Sequence, residues 1–371
     1  MTPARKSRKT VITKPKRASK SRPRKPKTKI KKDPIQEYRE CLKSDGVVEV
    51  ISLSDDDCLA NVKLHISTQS LALDRLLNCK GIPTGRVTEV FGENNIGKST
   101  LLDHLFAEVQ RMGGVAILAE PEGAREIGYT QRIGVDPNRL QYMHFPRMDF
   151  HLENILMKFY QTIDWWRDNS PSTPVVLGLD ALGGAATREE MEKQLSQPNQ
   201  PGAAAKVLRE ASRQIPARLG NTNIAVVICN HEYEQIQTFG HVGKRKETYG
   251  GGGLRHLASI RLALYPAGEW VKTPDGSRIG RVVGARLVKN RLGAPWGQTK
   301  FALISGIGVN NVWTVYEQLR EANLIQVSGS WAGINLDGEV IKFQGWSGLQ
   351  AKCAEDETLW PRLVSVYKGI P

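Results

Sequence analysis

The chain has 371 residues, 40% of them hydrophobic, and a formal net charge of +14; this length supports one large domain with appendages or two domains. No apolar run reaches the ~20 residues that a membrane-spanning helix needs. Five cysteines (Cys41, Cys58, Cys79, Cys229, Cys353) lack metal-ligand spacing and are odd in number, which suits small apolar side chains in a reducing cytosol rather than a disulfide framework.

The charge is lopsided. Residues 1–32 hold fifteen Lys or Arg and no Asp or Glu, so the remainder carries 37 basic against 38 acidic side chains and is nearly neutral. The tail has five apolar residues beyond Met1 (Ala4, Val11, Ile12, Ala18, Ile30) and several prolines, too little to bury a core, so residues 1–33 are predicted to be disordered. They lack the apolar stretch of a secretory signal. The tail reads as a grip on nucleic acid without sequence preference; the blander uses of the same charge are solubilisation or nuclear import.

Residues 34–43 are predicted as a short helix opening at Pro34, and residues 47–53 alternate as a strand. The run Ser54-Asp55-Asp56-Asp57 reads as a cap for a short helix, since three adjacent acids are not a metal-ligand spacing. From 67 to 265 short apolar strands (86–91, 115–119, 175–179, 224–229, 260–265) alternate with helices (101–112, 152–167, 204–219). Near-continuous apolar strands predict an α/β fold with a mostly parallel sheet covered on both faces. Residues 281–305 read as further strands. From 312 onward two helical stretches flank a Gly- and Trp-containing segment, a small C-terminal domain. The expected divisions are 34–60, 61–310 and 311–371.

Within the core, Gly92-Glu93-Asn94-Asn95-Ile96-Gly97-Lys98-Ser99 is a complete phosphate-binding loop, G-x-x-x-x-G-K-[ST], between a predicted strand and a predicted helix that continues with Thr100. The glycines let successive N–H groups turn inward on a triphosphate, and the helix N-terminus adds its positive end. Lys98 supplies a point charge for the β- and γ-phosphates, and Ser99 offers a hydroxyl to Mg²⁺.

Other polar groups leave the sheet at the edge where open α/β folds bind ligands. The strand 175–179 ends in Asp180, placed to hold Mg²⁺ through its water shell. The strand 115–119 runs into Glu120-Pro121-Glu122, and position alone does not choose which carboxylate activates water. The strand 224–229 ends in Asn230-His231, a polar pair placed to feel a γ-phosphate. Residues 232–249 then lack periodicity, hold Lys244-Arg245-Lys246, and close on Gly250 and Gly251. Such a segment is a functional loop or disordered, and its basic residues with Phe239 and Tyr249 suit single-stranded nucleic acid. A second such loop spans 187–202.

These residues resemble the RecA family of homologous-recombination ATPases, its bacterial and phage branches (RecA and UvsX types) most of all. The resemblance runs from about Ile35 to the C-terminus. Ile66-Ser67-Thr68-Gln69-Ser70, Gly81-Ile82-Pro83-Thr84-Gly85-Arg86, the phosphate loop, and Ile133-Gly134-Val135-Asp136 are similar to the family's core. Val288-Lys289-Asn290-Arg291-Leu292-Gly293-Ala294-Pro295 is peculiar to recombinases. The resemblance implies a RecA-like P-loop NTPase core with two DNA-binding loops, a short N-terminal oligomerisation segment and a small α+β C-terminal domain. It implies that Glu122 is the catalytic acid, that Tyr129 stacks on adenine with Glu126 near its amino group, and that 189–202 and 232–249 are the DNA loops. It also implies that Lys289 and Arg291 reach a neighbour's γ-phosphate. His231 departs from the Gln of bacterial RecA and matches the UvsX type; a His, unlike a Gln, changes charge near neutral pH. Tyr265-Pro266 stands where RecA has a basic pair, although Arg286 keeps one basic position, so the tail is expected to take over duplex capture.

The expectation is an ATP- and Mg²⁺-dependent recombinase that forms helical filaments on single-stranded DNA and exchanges strands with homologous duplex. It would work in a bacterial cytoplasm or a phage-infected host, with loader and single-strand-binding proteins. The alternatives are a ring-forming RecA-fold motor and a DNA-coating protein that binds nucleotide without hydrolysis.

Overall fold

The computed structural model describes residues 33–43, 50–78, 81–146, 149–193, 202–235, 245–273 and 275–370. The chain divides into two units at Ser52/Leu53. In the first, helix α1 (Pro34–Lys43) opens as its Pro predicts, with the Asp33 carboxylate accepting the Ile35 N–H at 3.1 Å. The strand expected over 47–53 is absent from its described residues 50–53. The acidic run beyond it caps no helix. The Asp55 carbonyl instead accepts the Cys58 N–H at 3.0 Å and the Asn61 side-chain amide at 2.7 Å, closing a turn.

The second unit opens with that turn and continues into a ribbon of β1 (His65–Ile66) and β2 (Ile82–Pro83) around α2 (Leu71–Leu76). Its main sheet follows. Six parallel strands lie in the order β5 (Leu140–Tyr142), β4 (Val115–Ala119), β6 (Val175–Leu179), β7 (Ile224–Gln235), β3 (Arg86–Gly92) and β9 (Ile260–Lys272). Three antiparallel strands extend it: β10 (Arg278–Asn290), β11 (Gln298–Ile304) and β12 (Gly308–Asn310). The central strands are largely apolar because both faces are covered. In β7, Ala225, Val227 and Cys229 meet the cluster under α3 (Lys98–Arg111). Ile224, Val226 and Ile228 meet the cluster under α5 (Leu152–Asn169) and α7 (Ala203–Leu219). The α3 stripe of Leu101, Leu102, Leu105, Phe106 and Val109 is fully buried. Gly178 of β6 makes room for it: a Cβ there would stand 2.7 Å from Phe106.

Three short elements complete the core: α4 (Ile127–Ile133), α6 (Arg188–Glu192) and α8 (Gly251–Leu257), with β8 (Arg245–Thr248) paired to β7. Beyond the sheet come three helices, not two: α9 (Asn311–Glu321), α10 (Gly345–Glu355) and α11 (Leu359–Gly369). The Gly- and Trp-containing segment between them is an antiparallel meander of β13 (Ile325–Ser328), β14 (Trp331–Leu336) and β15 (Glu339–Phe343). It has its own apolar cluster around Val315, Leu319, Leu349, Leu363 and Tyr367.

Candidate functional site

The phosphate loop leaves β3 at Gly92 and enters α3 through Gly97, whose φ of 103° only glycine adopts freely. A Cβ on Gly92 would stand 2.3 Å from the Leu264 carbonyl, so the loop is pressed against β9. Ile96 is buried and anchors the loop, while Glu93, Asn94, Asn95 and Ser99 face solvent. The Lys98 ammonium donates to the carbonyls of Gly92 (3.2 Å) and Glu93 (2.7 Å). Burial lowers its pKa, and the charges of Asp180, Glu122 and Glu93 oppose that shift. Glycines that close-packing demands, a buried ammonium and exposed loop residues together form a cradle that fits a polyphosphate.

The acids around the cradle have separate environments. Asp180, directly after β6, is buried, and its carboxylate accepts from the Arg125 guanidinium at 2.7 Å. Arg125 also pairs with Asp103 of α3, whose carboxyl burial pushes up to about 6. Glu120 is buried and accepts the Ala124 N–H at 3.1 Å; burial raises its pKa. Glu122 is half-exposed, with Oε1 3.2 Å from His231 Nε2. That pair rests on the turn after β6: a Cβ on Gly184 would lie 2.6 Å from Glu122 Cγ, and one on Gly183 would lie 3.2 Å from His231 Cδ2. Among the described residues no three His, Cys, Asp or Glu side chains form a metal cage. Mg²⁺ with a nucleotide needs only a carboxylate or hydroxyl plus phosphates and water, and Asp180 and Ser99 fit that requirement.

Behind His231 lies a buried polar network. The Asn230 amide donates to Glu89 Oε1 and to the Tyr249 carbonyl, both at 2.9 Å. Arg261 of β9 pairs with Glu89, donates to Thr248 Oγ1 at 3.1 Å, and stacks over Phe91 with its guanidinium 4.7 Å from the ring centre. The strand before the phosphate loop, the strand end at His231 and the returning limb of the 232–249 segment thus share one set of hydrogen bonds. Pattern reading passed over Arg125, Asp103, Glu89 and Arg261. The available signal for the last two was a single acid and a single base inside neighbouring apolar strands, where an isolated charge needs a partner.

The 232–249 segment is not the uniform loop expected. Both limbs are strands, with Glu232 opposite Thr248 and Gln235 opposite Arg245, and Lys246 pairs with Glu232 at 3.0 Å. Phe239 and Lys244 lie outside the described residues. Gly250 and Gly251 have φ of 83° and 53° and start α8. The 187–202 segment opens with α6, capped reciprocally by Thr187 and Glu190; residues 194–201 lie outside the described set. On the other flank, Glu126 caps α4 by accepting the Gly128 and Tyr129 N–H groups, and Tyr129 Oη lies 2.9 Å from Thr100 Oγ1.

Lys289 and Arg291 are not beside this cradle. Lys289 Nζ donates to the carbonyls of Arg255 and Ala258, each at 2.6 Å, and Arg291 to that of His256 at 3.4 Å. They cap the C-terminal end of α8. Burial, then Arg291, lowers the Lys289 pKa to about 8. In the ladder Asn290 stands opposite Ile260, which is level with Thr88, whereas Gly92 is level with Leu264. Four residues of strand, about 13 Å, therefore separate the two groups along the sheet. Arg286 is exposed on the same strand.

Known proteins match the chain over most of its length. The RecA N-terminal domain family model matches residues 38–310. Protein RecA of Sulfurimonas denitrificans is 30% identical over 294 residues, covering 79% of this chain and 80% of that protein. Protein RecA of Aquifex aeolicus is 31% identical over 266 residues (72% and 73%), and that of Brucella canis 28% over 295 residues (78% and 76%).

Proposed function

The chain belongs to the RecA family, and from that premise we infer that it is a DNA-dependent ATPase and an ATP-driven recombinase. The observation that carries the finer reading is the division of charge across the sheet. The phosphate loop, Asp180 and the Glu122–His231 pair gather at one edge, while Lys289 and Arg291 sit at the other. A nucleotide served by both must lie between two copies of the chain.

In this reading Gly92, Glu93, Asn94, Asn95, Ile96, Gly97, Lys98, Ser99 and Thr100 wrap the phosphates of ATP, and Tyr129 and Glu126 take the adenine. Ser99 and Asp180 hold Mg²⁺, which neutralises phosphate charge when bound. Glu122 orients and deprotonates the attacking water. His231 reports the γ-phosphate through Asn230 to the 232–249 segment. Lys289 and Arg291 of the neighbouring copy place positive charge where it accumulates in the transition state. Two faces used head to tail without closure build a helical filament.

Residues 189–202 and 232–249, with Phe239, Lys244, Arg245, Lys246, Gly250 and Gly251, bind single-stranded DNA. Arg286 and the basic tail 1–33 hold the incoming duplex, and base pairing reads the sequence. We assign 34–60 to docking on the neighbour, 61–310 to the ATPase core and 311–371 to a C-terminal domain. No helix among the described residues is long and apolar enough to cross a membrane, and the bacterial or phage-infected cytoplasm is the proposed location. The test is strand exchange with ATP turnover measured with and without single-stranded DNA, alongside electron microscopy with a non-hydrolysable analogue. Filaments and DNA-stimulated turnover are expected. Closed rings, or turnover indifferent to DNA, would overturn the reading.

A further inference from the structure

The Mg²⁺-nucleotide reading above leaves the buried Arg125 without a role. Arg125 lies three residues after Glu122 and is almost fully buried, its side chain 11% exposed. One arm of its guanidinium pairs with Asp103, in the second turn of α3, and the other with Asp180 at 2.7 Å. Asp103 is fixed in turn by the Thr130 hydroxyl at 3.1 Å. The Arg125 Nε–H is buried without a partner among the described residues. A guanidinium is a rigid planar fork, so two carboxylates on its arms are fixed in distance and in plane. The fork joins the three elements that carry the nucleotide chemistry: the helix of the phosphate loop, the segment after β4 and the end of β6.

Such a triad is a poor device for stability. Desolvating three charges costs about as much as their attraction returns, and apolar side chains of similar volume often serve as well. A role toward the site explains it better. Asp103 balances the charge of Arg125, so the three groups together present the same single negative charge as Asp180 alone, now held still.

We propose that Arg125, with Asp103 as its counter-anion, is a positioning residue that pre-orients the Asp180 carboxylate for the divalent cation of the bound nucleotide. Outer groups of this kind govern metal affinity by orienting the ligand.

The experiment measures the Mg²⁺ concentration that half-saturates binding of a fluorescent ATP analogue to the full-length protein, with a thermal melt beside it. Two variants are used, D103L/R125L and R125K. The double substitution removes Asp103 and Arg125 together, so neither is left buried without the other, and R125K keeps the charge but loses the fork. The expected result is a rise of about 10-fold in half-saturating Mg²⁺ for D103L/R125L and a smaller rise for R125K. A merely structural role moves the melt and leaves the Mg²⁺ dependence in place. Wild-type Mg²⁺ dependence in R125K, or in a folded D103L/R125L, would overturn the proposal while leaving the nucleotide site intact. A wild-type protein whose nucleotide binding ignores Mg²⁺ would overturn both.

Discussion

His104 shows how a single side chain sets a pH window. It lies inside α3, buried, with Nδ1 2.7 Å from Gln69 Oε1 and Nε2 accepting the Val309 N–H at 2.9 Å. That accepting role requires the neutral ring. Burial lowers its pKa from 6.5 to about 4. Below 6.5 the unfolded chain takes up a proton that the folded chain refuses, so this contribution to stability is complete above 6.5 and is lost as the pH falls toward 4. The full loss is about 3 kcal/mol. Asp103 acts with the opposite sign below about 6, because burial raises its pKa and protonation then favours the folded form. The comparison to make is therefore between wild type and His104→Asn in urea melts at pH 7 and pH 4.5. The wild type should lose more of its stability across that interval than the variant. Equal losses would mean that His104 is not held neutral.

At the scale of elements, the turn after β6 decides whether the Glu122–His231 pair can form. Gly183 and Gly184 lie in the 3-10 turn Leu182–Gly184, and neither has a positive φ, so alanine suits the backbone at both. Space is the obstacle, since a Cβ on Gly184 would stand 2.6 Å from Glu122 Cγ. Gly184→Ala should displace that carboxylate and lower the ATP turnover number by roughly 10- to 100-fold, with KM for ATP close to wild type. An unchanged turnover number would show that Glu122 acts from elsewhere. This dependence was invisible in the sequence, where two adjacent glycines look like any turn. What the sequence did carry was local. The strands over 115–119 and 175–179 appear with the bounds expected, because continuous apolar runs between polar ends admit few alternatives. The Asp337-Gly338 pair between β14 and β15, with φ of 56° and 90°, closes a two-residue hairpin that the reading of 311–371 passed over. Pattern failed where partners are distant. β7 overruns its expected end by six residues, from Cys229 to Gln235, because Asn230 and His231 still pair with β3 and β8 supplies Glu232–Gln235 with a ladder that no polar sequence advertises. Arg125 and Asp103 are 22 residues apart and become legible as a pair only once α4 folds against α3.

At the scale of the whole molecule, the proposal that neighbouring copies share each nucleotide makes a demand that no single chain can meet. Glu122→Gln removes the acid proposed to prepare water and should cost about 10²- to 10⁴-fold in turnover. Lys289→Ala removes a charge that, by the register of β10 against β9 and β3, stands at the far edge of the sheet from its own phosphate loop. Each variant alone should be nearly inactive with single-stranded DNA. A filament assembled from an equal mixture is different. Wherever the cradle of a Lys289→Ala copy, with its Glu122 intact, faces a Glu122→Gln copy, with its Lys289 intact, the site is whole. Random head-to-tail assembly makes about a quarter of the interfaces whole in this way. Turnover in the mixture should therefore recover to roughly that share of wild type, and pre-assembling each variant separately before mixing should delay the recovery until subunits exchange. If Lys289 instead serves only the end of α8 in its own chain, where it holds the Arg255 and Ala258 carbonyls, the mixture will be as inactive as its parts. The two roles make no common prediction here: a cap on α8 is repaired by nothing a neighbour supplies, whereas a charge delivered across a subunit boundary is.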